Sequence, residues 1–296
     1  MASPQTGIFA LGTASHAYLE FDLVPSPDPA PAAARFAGLR EPRTTIGGVN
    51  LVVGFRPELW ARVAPDAIPA GVAGFNAPLV GPGGVTMAAT QHDVVVWLTG
   101  ASYDVVFDLS RQVIGGLVGS AVLASELVGW PYHHDLDLTG FIDGTENPSL
   151  VEATAVVPIR SGSPGEDGTI LLLQQWEHDA DAWESLGVAD QEAVIGRRKA
   201  DSAELDPRPP TSHVARTDQD RFGRIFRRNI AYGTVARHGT LFVGFCADQR
   251  ILVAMLESMA GADGGPADAL TRFARAVTGA YYVVPSAERL AALAGG

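Results

Sequence analysis

Gly140-Phe141-Ile142-Asp143-Gly144-Thr145-Glu146-Asn147-Pro148 sets one acid among glycines and turn formers, just after a run rich in apolar and aromatic residues. Gly140 and Gly144 open backbone torsions that other residues avoid and let the chain approach a ligand closely. Asn147-Pro148 closes the segment as a turn. The carboxylate of Asp143 is thus carried on the backbone of a loop, where it can be aimed. The plainer reading is an Asx-type turn in which Asp143 caps its own loop. The choice between the two rests on the rest of the chain.

At 296 residues, 47% hydrophobic and 18% charged, the chain is long enough for one large or two medium domains with filled cores. No run of about eighteen residues is free of polar interruption, which argues against a transmembrane helix. Met1-Ala2-Ser3-Pro4-Gln5-Thr6 has neither a basic n-region nor paired arginines, so a cytoplasmic protein is expected. The single cysteine, Cys246, falls in the apolar run Leu241 to Ala247 and reads as a core thiol on a buried strand. With no internal disulfide available, a reducing compartment fits. A net charge of −12 and a pI near 4.9 disfavour nucleic acid and anionic membranes, whose binding depends on clustered Lys and Arg.

Along the first half, a strand pattern at Ala17 to Leu23 precedes a helical one at Ala32 to Leu39. Asp93 to Leu98 reads as a buried strand, Val106, Leu109, Val113, Ile114 and Leu117 recur at helical spacing, and Ala121 to Leu127 is strand-like, which makes a β-α-β unit. The second half follows a similar scheme: a strand at Thr169 to Trp176 before a helical pattern, then a strand at Thr240 to Ala247 before a helix at Ile251 to Met259. The expectation is an α+β protein of two halves, residues 1–138 and 139–296, each an antiparallel sheet with helices on one face, with a ligand placed between them. Two stretches, Pro57 to Gln91 and Arg197 to Gly223, read as long irregular loops, either functional or surface excursions.

The seven histidines separate by neighbourhood. His16 and His92 sit beside strands, and His178 and His238 at element ends, where a solvated or capping imidazole is ordinary. His133-His134-Asp135-Leu136-Asp137 gathers the usual ligands of zinc or non-haem iron, but adjacent histidines on an extended segment face opposite ways and do not readily share one metal. His213 follows a proline pair that stiffens its approach; alone, it is a loop histidine. Beyond it, Gly223 to Ile230 alternates Ile225, Arg227 and Asn229 on one strand face with Phe226, Arg228 and Ile230 on the other. A guanidinium beside a carboxamide suits a site that polarises a bound oxygen species, and is also common on an exposed strand edge.

The Gly140 to Pro148 stretch, a histidine 70 residues after Asp143 and the Arg227-Arg228-Asn229 strand together resemble the dye-decolorizing (DyP-type) haem peroxidases, most closely their bacterial B-type branch. Gly7 to Gly12, Tyr18 to Leu23, Val194 to Lys199 and Gly239 to Phe245 extend the resemblance to nearly the whole chain. It implies two ferredoxin-like α+β modules in a dimeric α/β-barrel-like arrangement, with one haem b per chain held mainly by the second. It makes His213 the proximal axial ligand of the haem iron, Asp143 and Arg227 the distal catalytic pair, and Asn229 a distal polar residue. Gly144, Thr145, Glu146, Asn147 and Arg227 are the implied cofactor contacts. The implied reaction reduces hydrogen peroxide through a ferryl intermediate and oxidises dyes, phenolic compounds or other one-electron donors.

A carboxylate accepting the other N–H of His213 would strengthen its electron donation, with Asp248 and Glu257 as candidates. Arg228 departs from relatives that often carry an acid there; on the opposite strand face it should spare the distal pocket. Trp176, Trp183, Tyr232, Tyr281 and Tyr282 are either core packing or relays to surface donors. Expected partners are peroxide, small aromatic electron donors and further copies of the chain in a homo-oligomer. The terminal Ala287 to Gly296 shows no clear extension of the kind that loads some relatives into encapsulin shells. An alternative is a haem or porphyrin carrier or iron-releasing protein, which needs only the ligand and an apolar pocket and so leaves Asp143, Arg227 and Asn229 without purpose. A non-haem metal enzyme built on the His133 to Asp137 cluster is the other.

Overall fold

The computed structural model describes residues 3–42 and 48–295, so Met1, Ala2 and Gly296 of the terminal stretches read above lie outside it. Its first half runs β1 (Ser15–Leu23), α1 (Ala30–Ala37), β2 (Val49–Phe55), α2 (Pro57–Val63), β3 (Leu79–Val80), β4 (Thr86–Met87), β5 (Val94–Gly100), α3 (Tyr103–Gly116) and β6 (Ala121–Trp130). Then follow α4 (Leu150–Val156), β7 (Thr169–His178), α5 (Ala180–Glu184), α6 (Val188–Ile195), α7 (His213–Arg216), α8 (Gln219–Phe222), β8 (Phe226–Arg227), β9 (Ile230–Gly233), β10 (His238–Cys246), α9 (Gln249–Ala260), β11 (Ala274–Ala276), β12 (Ala280–Val284) and α10 (Ala287–Gly295). The chain is α+β, with every pairing of the main sheet antiparallel.

Four strands of the first half lie in the order β2-β5-β1-β6 and four of the second in the order β12-β7-β10-β9. The rows meet where Val283 of β12 pairs with Phe55 of β2, and where Gly129 and Trp130 of β6 pair with Tyr232 and Ala231 of β9. With β7 and β10 paired from Ile170↔Cys246 to Glu177↔Gly239, the eight strands form a closed ring. The β6–β9 seam needs Gly129, since a Cβ there would stand 2.5 Å from the Ala231 carbonyl oxygen and 2.2 Å from the Ile230 side chain.

Closure gives each strand an inside and an outside. Tyr18, Val52, Trp97, Leu127, Leu171, Leu173, Phe226, Val243, Phe245 and Tyr282 pack together inside. The alternate residues, such as Leu19, Val53, Leu98, Leu172 and Cys246, face outward under the helices. Two-sided burial explains why Val94 to Leu98 is apolar without alternation. The helices carry their own signals. Val106, Leu109 and Val113 form the buried stripe of α3, Asp248 caps the start of α9, and Gly261 ends it at φ 72°. Burial pushes the Cys246 thiol up to about 12, in keeping with a core position.

Two segments read as irregular loops contain structure. Pro57 opens α2, where a missing N–H costs nothing, and Trp60 of that helix is buried; α7 and α8 lie within 197–223. Helices this short hold together by tertiary contacts, so no periodic pattern announces them. Strand β2 also carries no clear alternation, because it is buried on nearly every residue.

Arg228 points into the ring. Its guanidinium donates to the carbonyls of Ile8 at 2.7 Å and Ala10 at 2.6 Å and lies 5.3 Å from the centre of the Trp97 ring, which stacks on Tyr18 and Phe245. It therefore fastens the N-terminal segment to the back of the strand that carries Arg227, away from the cavity described below. Arg228→Ala should cost about 3 kcal/mol, because two charged hydrogen bonds and the ring contact go together. Urea denaturation at pH 7 measures this, and a loss below about 1 kcal/mol would leave the fastening role without support.

Candidate active site

On the outer face of the second-half strands, β7 turns Leu172, Gln174, Trp176 and His178 toward a cavity of about 1180 Å³. Phe242 and Thr240 of β10 extend this wall, and Leu252, Met255, Leu256 and Met259 of α9 form the apolar wall that accompanies it. Asp143, Thr145, Glu146, His213, Arg227 and Asn229 all line the same space. The alternation of Ile225, Arg227 and Asn229 toward one face is realised, with Phe226 and Ile230 in the ring interior.

His213 is the first residue of α7, set by Ser212, whose hydroxyl accepts from the Ala215 N–H. Its Nδ1 lies 2.7 Å from Oδ2 of Asp268, a fully buried carboxylate whose other oxygen caps the 3-10 turn Ala269–Arg272 through the Leu270 N–H. An acceptor there fixes the tautomer: Nδ1 carries the hydrogen, leaving Nε2 as the available ligand atom. Burial, the largest influence, favours the neutral ring. The charge and hydrogen bond of Asp268 outweigh it, and the imidazole ends above its ordinary value. Neither acid anticipated for this place occupies it. Asp248 caps α9 and pairs with Arg250, and Glu257 is exposed on α9. Asp268 lies 55 residues from His213, and its one sequence signal, an Asp ahead of a short helical turn, marks a cap and not a partner.

Asp143 stands across from Arg227, Oδ1 to Nη2 at 3.9 Å. The loop that carries it turns through Gly140 at φ 82° and Gly144 at φ 78°, and the Asp143 N–H donates to the Asp135 carbonyl. Gly144 and Asn147, expected as direct contacts, do not form the cavity wall. The side-chain amide of Asn147 accepts from the Arg227 N–H and donates to the Arg227 carbonyl, both at 2.9 Å. It thus pairs with β8 as a strand would, and holds Asp143 and Arg227 in register. Glu146 receives Arg197 at 3.1 Å and the Gln219 N–H at 3.4 Å. Asn229 accepts from the Val243 N–H at 2.9 Å, which leaves its NH₂ as the free half of the amide.

Three buried polar groups at this cavity lack a partner among the described residues: Nε of Arg227, Nε of Arg197 and both amide atoms of Gln174. Such groups are costly to leave bare, so the cavity suits an occupant with a broad apolar face and polar points of contact. The other metal-like cluster does not converge. His133 and His134 occupy a turn at φ 41° and 70°, Asp137 is engaged by the Thr139 N–H and the Thr240 hydroxyl, and no group of three or more His, Cys, Asp or Glu capable of holding a metal occurs among the described residues. Of the aromatic candidates, Trp176 lines the cavity, Trp183, Tyr281 and Tyr282 are buried, and Tyr232 is half-buried.

Asp268→Asn keeps a hydrogen-bond acceptor but removes the charge, so burial should prevail and the His213 titration midpoint should fall below that of the parent chain, read by NMR on ligand-free protein. The sign also fixes stability. With a raised imidazole, the pair's contribution is complete below the ordinary value of 6.5 and fades as pH rises through the raised one. An unchanged midpoint would mean that Asp268 does not control the ring.

Residues 134–289 match the family described as Dyp-type peroxidase, C-terminal. A dye-decolorizing peroxidase of Brevibacterium linens is 34% identical over 253 residues, spanning 82% of this chain and 68% of that protein. The dye-decolorizing peroxidase of Mycobacterium tuberculosis is 33% identical over 266 residues, covering 86% and 78%. Among solved structures, DyPB of Rhodococcus jostii RHA1 superposes with a TM-score of 0.88 at 30% identity over 97% of each chain. A variant of the same protein, determined in complex with heme, gives 0.87 at 31% identity over 95% and 96%. No helix among the described residues is long and apolar enough to cross a membrane. By these likenesses, and by the cavity that gathers Asp143, Arg227, Asn229 and His213, the chain belongs to the DyP-type peroxidase family.

Proposed function

We propose that this chain is a haem-dependent peroxidase whose haem b would be held in the cavity between β7, β10 and α9, with His213 supplying the imidazole that binds its iron. The observation that carries the reading is the pairing of His213 with buried Asp268 in a cavity that also holds Asp143 and Arg227. The residues fit the group: an imidazole with Nε2 free, apolar walls from Leu172, Phe242, Leu252 and Met255, and guanidinium N–H groups still unpartnered. A carrier would need only the first two. The wall residues and His213 hold the haem, and Asp268 keeps the imidazole electron-rich. Gly144 and Asn147 serve it indirectly, by shaping the loop that carries Thr145 and Glu146 to the wall.

Bound haem supplies the redox-active iron at which peroxide is reduced. The chain's own contribution is to move one proton and to hold charge. Asp143 takes a proton from one peroxide oxygen and returns it to the other, as base and then acid. A guanidinium keeps its protons, so Arg227 acts by stabilising negative charge as the O–O bond breaks. Asn229, with its carbonyl taken by Val243, contributes N–H donors to the same oxygens. The apolar walls limit access of water and of bulky donors.

The two four-strand rows follow the same order when each is numbered along the chain, 2-3-1-4 and its reverse, which supports two fused ferredoxin-like modules, 1–138 and 139–296. The family match beginning at residue 134 supports that boundary. A buried, unpaired Cys246 favours a cytoplasmic location. Exposed Tyr103, Phe107 and Val122 support self-association into a homo-oligomer. The electron donors are dyes, as the names of the relatives suggest, and by the same one-electron chemistry small aromatic compounds.

Hemin titration gives the test. The parent chain should take up one equivalent with the absorption of a histidine-ligated ferric haem, and His213→Ala should lose or alter that band. In stopped flow, one equivalent of peroxide should change the parent spectrum rapidly. Arg227→Leu should slow that change more than Asp143→Ala, as expected if charge stabilisation outweighs proton transfer. Uptake of hemin without any response to peroxide would favour the carrier, and equal or reversed losses would overturn the division of roles.

A further inference from the structure

A second cavity, of about 600 Å³, lies beside the first and is lined by Tyr132, Trp183, Glu184, His238 and Phe273. Thr139, His178, Leu270 and Ala274 line both, so the two spaces are neighbours. Glu184 is exposed and Tyr132 and His238 are half-buried, which puts the mouth at their end, while Trp183 is buried and anchored by its Nε1–H on the Thr139 carbonyl.

Beside these shared residues runs a chain of three side chains outside the mechanism above. The Thr240 hydroxyl donates to Oδ2 of Asp137, whose Oδ1 accepts the Thr139 N–H. Nε2 of His178 lies 3.3 Å from the same Thr240 oxygen. A hydroxyl has one proton, and this one is given to Asp137, so toward His178 Thr240 can only accept. Nε2 therefore carries the hydrogen, and Nδ1 of the neutral ring is a bare acceptor with no partner among the described residues. Burial, the largest influence on this ring, holds it below its ordinary value; Asp137 opposes that and His238 adds to it. His178 is thus a half-buried ring at the end of β7, held through Thr240, with burial favouring its neutral form.

We propose that the second cavity binds a small uncharged phenol and that Nδ1 of His178 accepts the phenolic proton as the peroxidase withdraws one electron. Aromatic walls at Tyr132, Trp183 and Phe273 suit a flat ring, and the bare nitrogen suits its hydroxyl. The step balances: the O–H bond breaks, the proton goes to His178, the electron goes to the oxidised active site that peroxide has generated, and a neutral phenoxyl radical leaves. Proton transfer alongside the electron avoids a phenol radical cation, and the Thr240–Asp137 link lets the imidazolium share its charge with a carboxylate. The exposed Glu184 and the net charge of −12 disfavour sulfonated, anionic donors at this mouth. The proposal rests on the haem peroxidase reading.

The test compares 2,6-dimethoxyphenol with the sulfonated dye ABTS, which has no phenolic proton to lose, on hemin-loaded parent chain, His178→Phe and Ala180→Trp. Ala180 lines the second cavity and not the first. Loss of a general base is expected to lower kcat/KM for the phenol by about 100-fold relative to that for ABTS in His178→Phe. Ala180→Trp fills the cavity and should raise KM for the phenol selectively. A second readout needs no turnover: dimethoxyphenol binding to hemin-free protein, followed by NMR titration, should weaken at least about tenfold in Ala180→Trp, the size of one lost ring contact. Equal losses for both donors in both variants, or phenol binding and oxidation untouched by either, would overturn the proposal. Failure of the parent chain to take up hemin would instead defeat the haem reading, and the binding titration on hemin-free protein separates the two.

Discussion

The pairing of β7 with β10 is the constraint on which the rest depends. It closes the ring, and closure forces alternate residues of every strand to one side or the other. On β7 this separates Leu171 and Leu173, which fill the interior, from Leu172, Gln174, Trp176 and His178, which face the helices. A slip of one residue would exchange the two sets, burying an amide and an imidazole in the aromatic interior and turning leucines toward the ligand. The stability of the ring and the composition of the cavity are two consequences of the same register.

The cavity brings two guanidinium groups and three carboxylates together. A chain with net charge −12 turns Arg197 and Arg227 inward to a space bordered by Asp143, Glu146 and Asp137. Each acid has a distinct setting. Glu146 is bound by Arg197 and cannot easily move, Asp137 is occupied by two hydrogen-bond donors, and Asp143 has only a loose 3.9 Å approach from Arg227. The carboxylate with the weakest ties is the one suited to carry a proton. On the opposite side, Asp268 is tied and buried, and its work is to hold His213.

Strands with long apolar runs and helices with clear stripes, such as β5, β7, β10, α3 and α9, were legible because their periodicity is local. The Asp143 loop was legible for the same reason: glycine, asparagine and proline specify its turns wherever the loop sits. Helices α2, α7 and α8 were not, since segments of seven and four residues are held by contacts made elsewhere. The bonding of Asn147 was not legible, because its amide satisfies a strand that lies 80 residues away.

By itself, the sequence determined that Asp143 rides on a glycine turn, that Arg227 and Asn229 share a strand face, and that Arg228 points the other way. These follow from bond geometry over a few residues and need no knowledge of the neighbours. Only the tertiary structure decided that Asp268 meets His213, that the ring closes, and that His178 lines two neighbouring cavities with one nitrogen bare. Each of those depends on which distant backbone segment arrives beside a given side chain, and hydrogen bonding, burial and charge act on a residue only once that neighbour is in place.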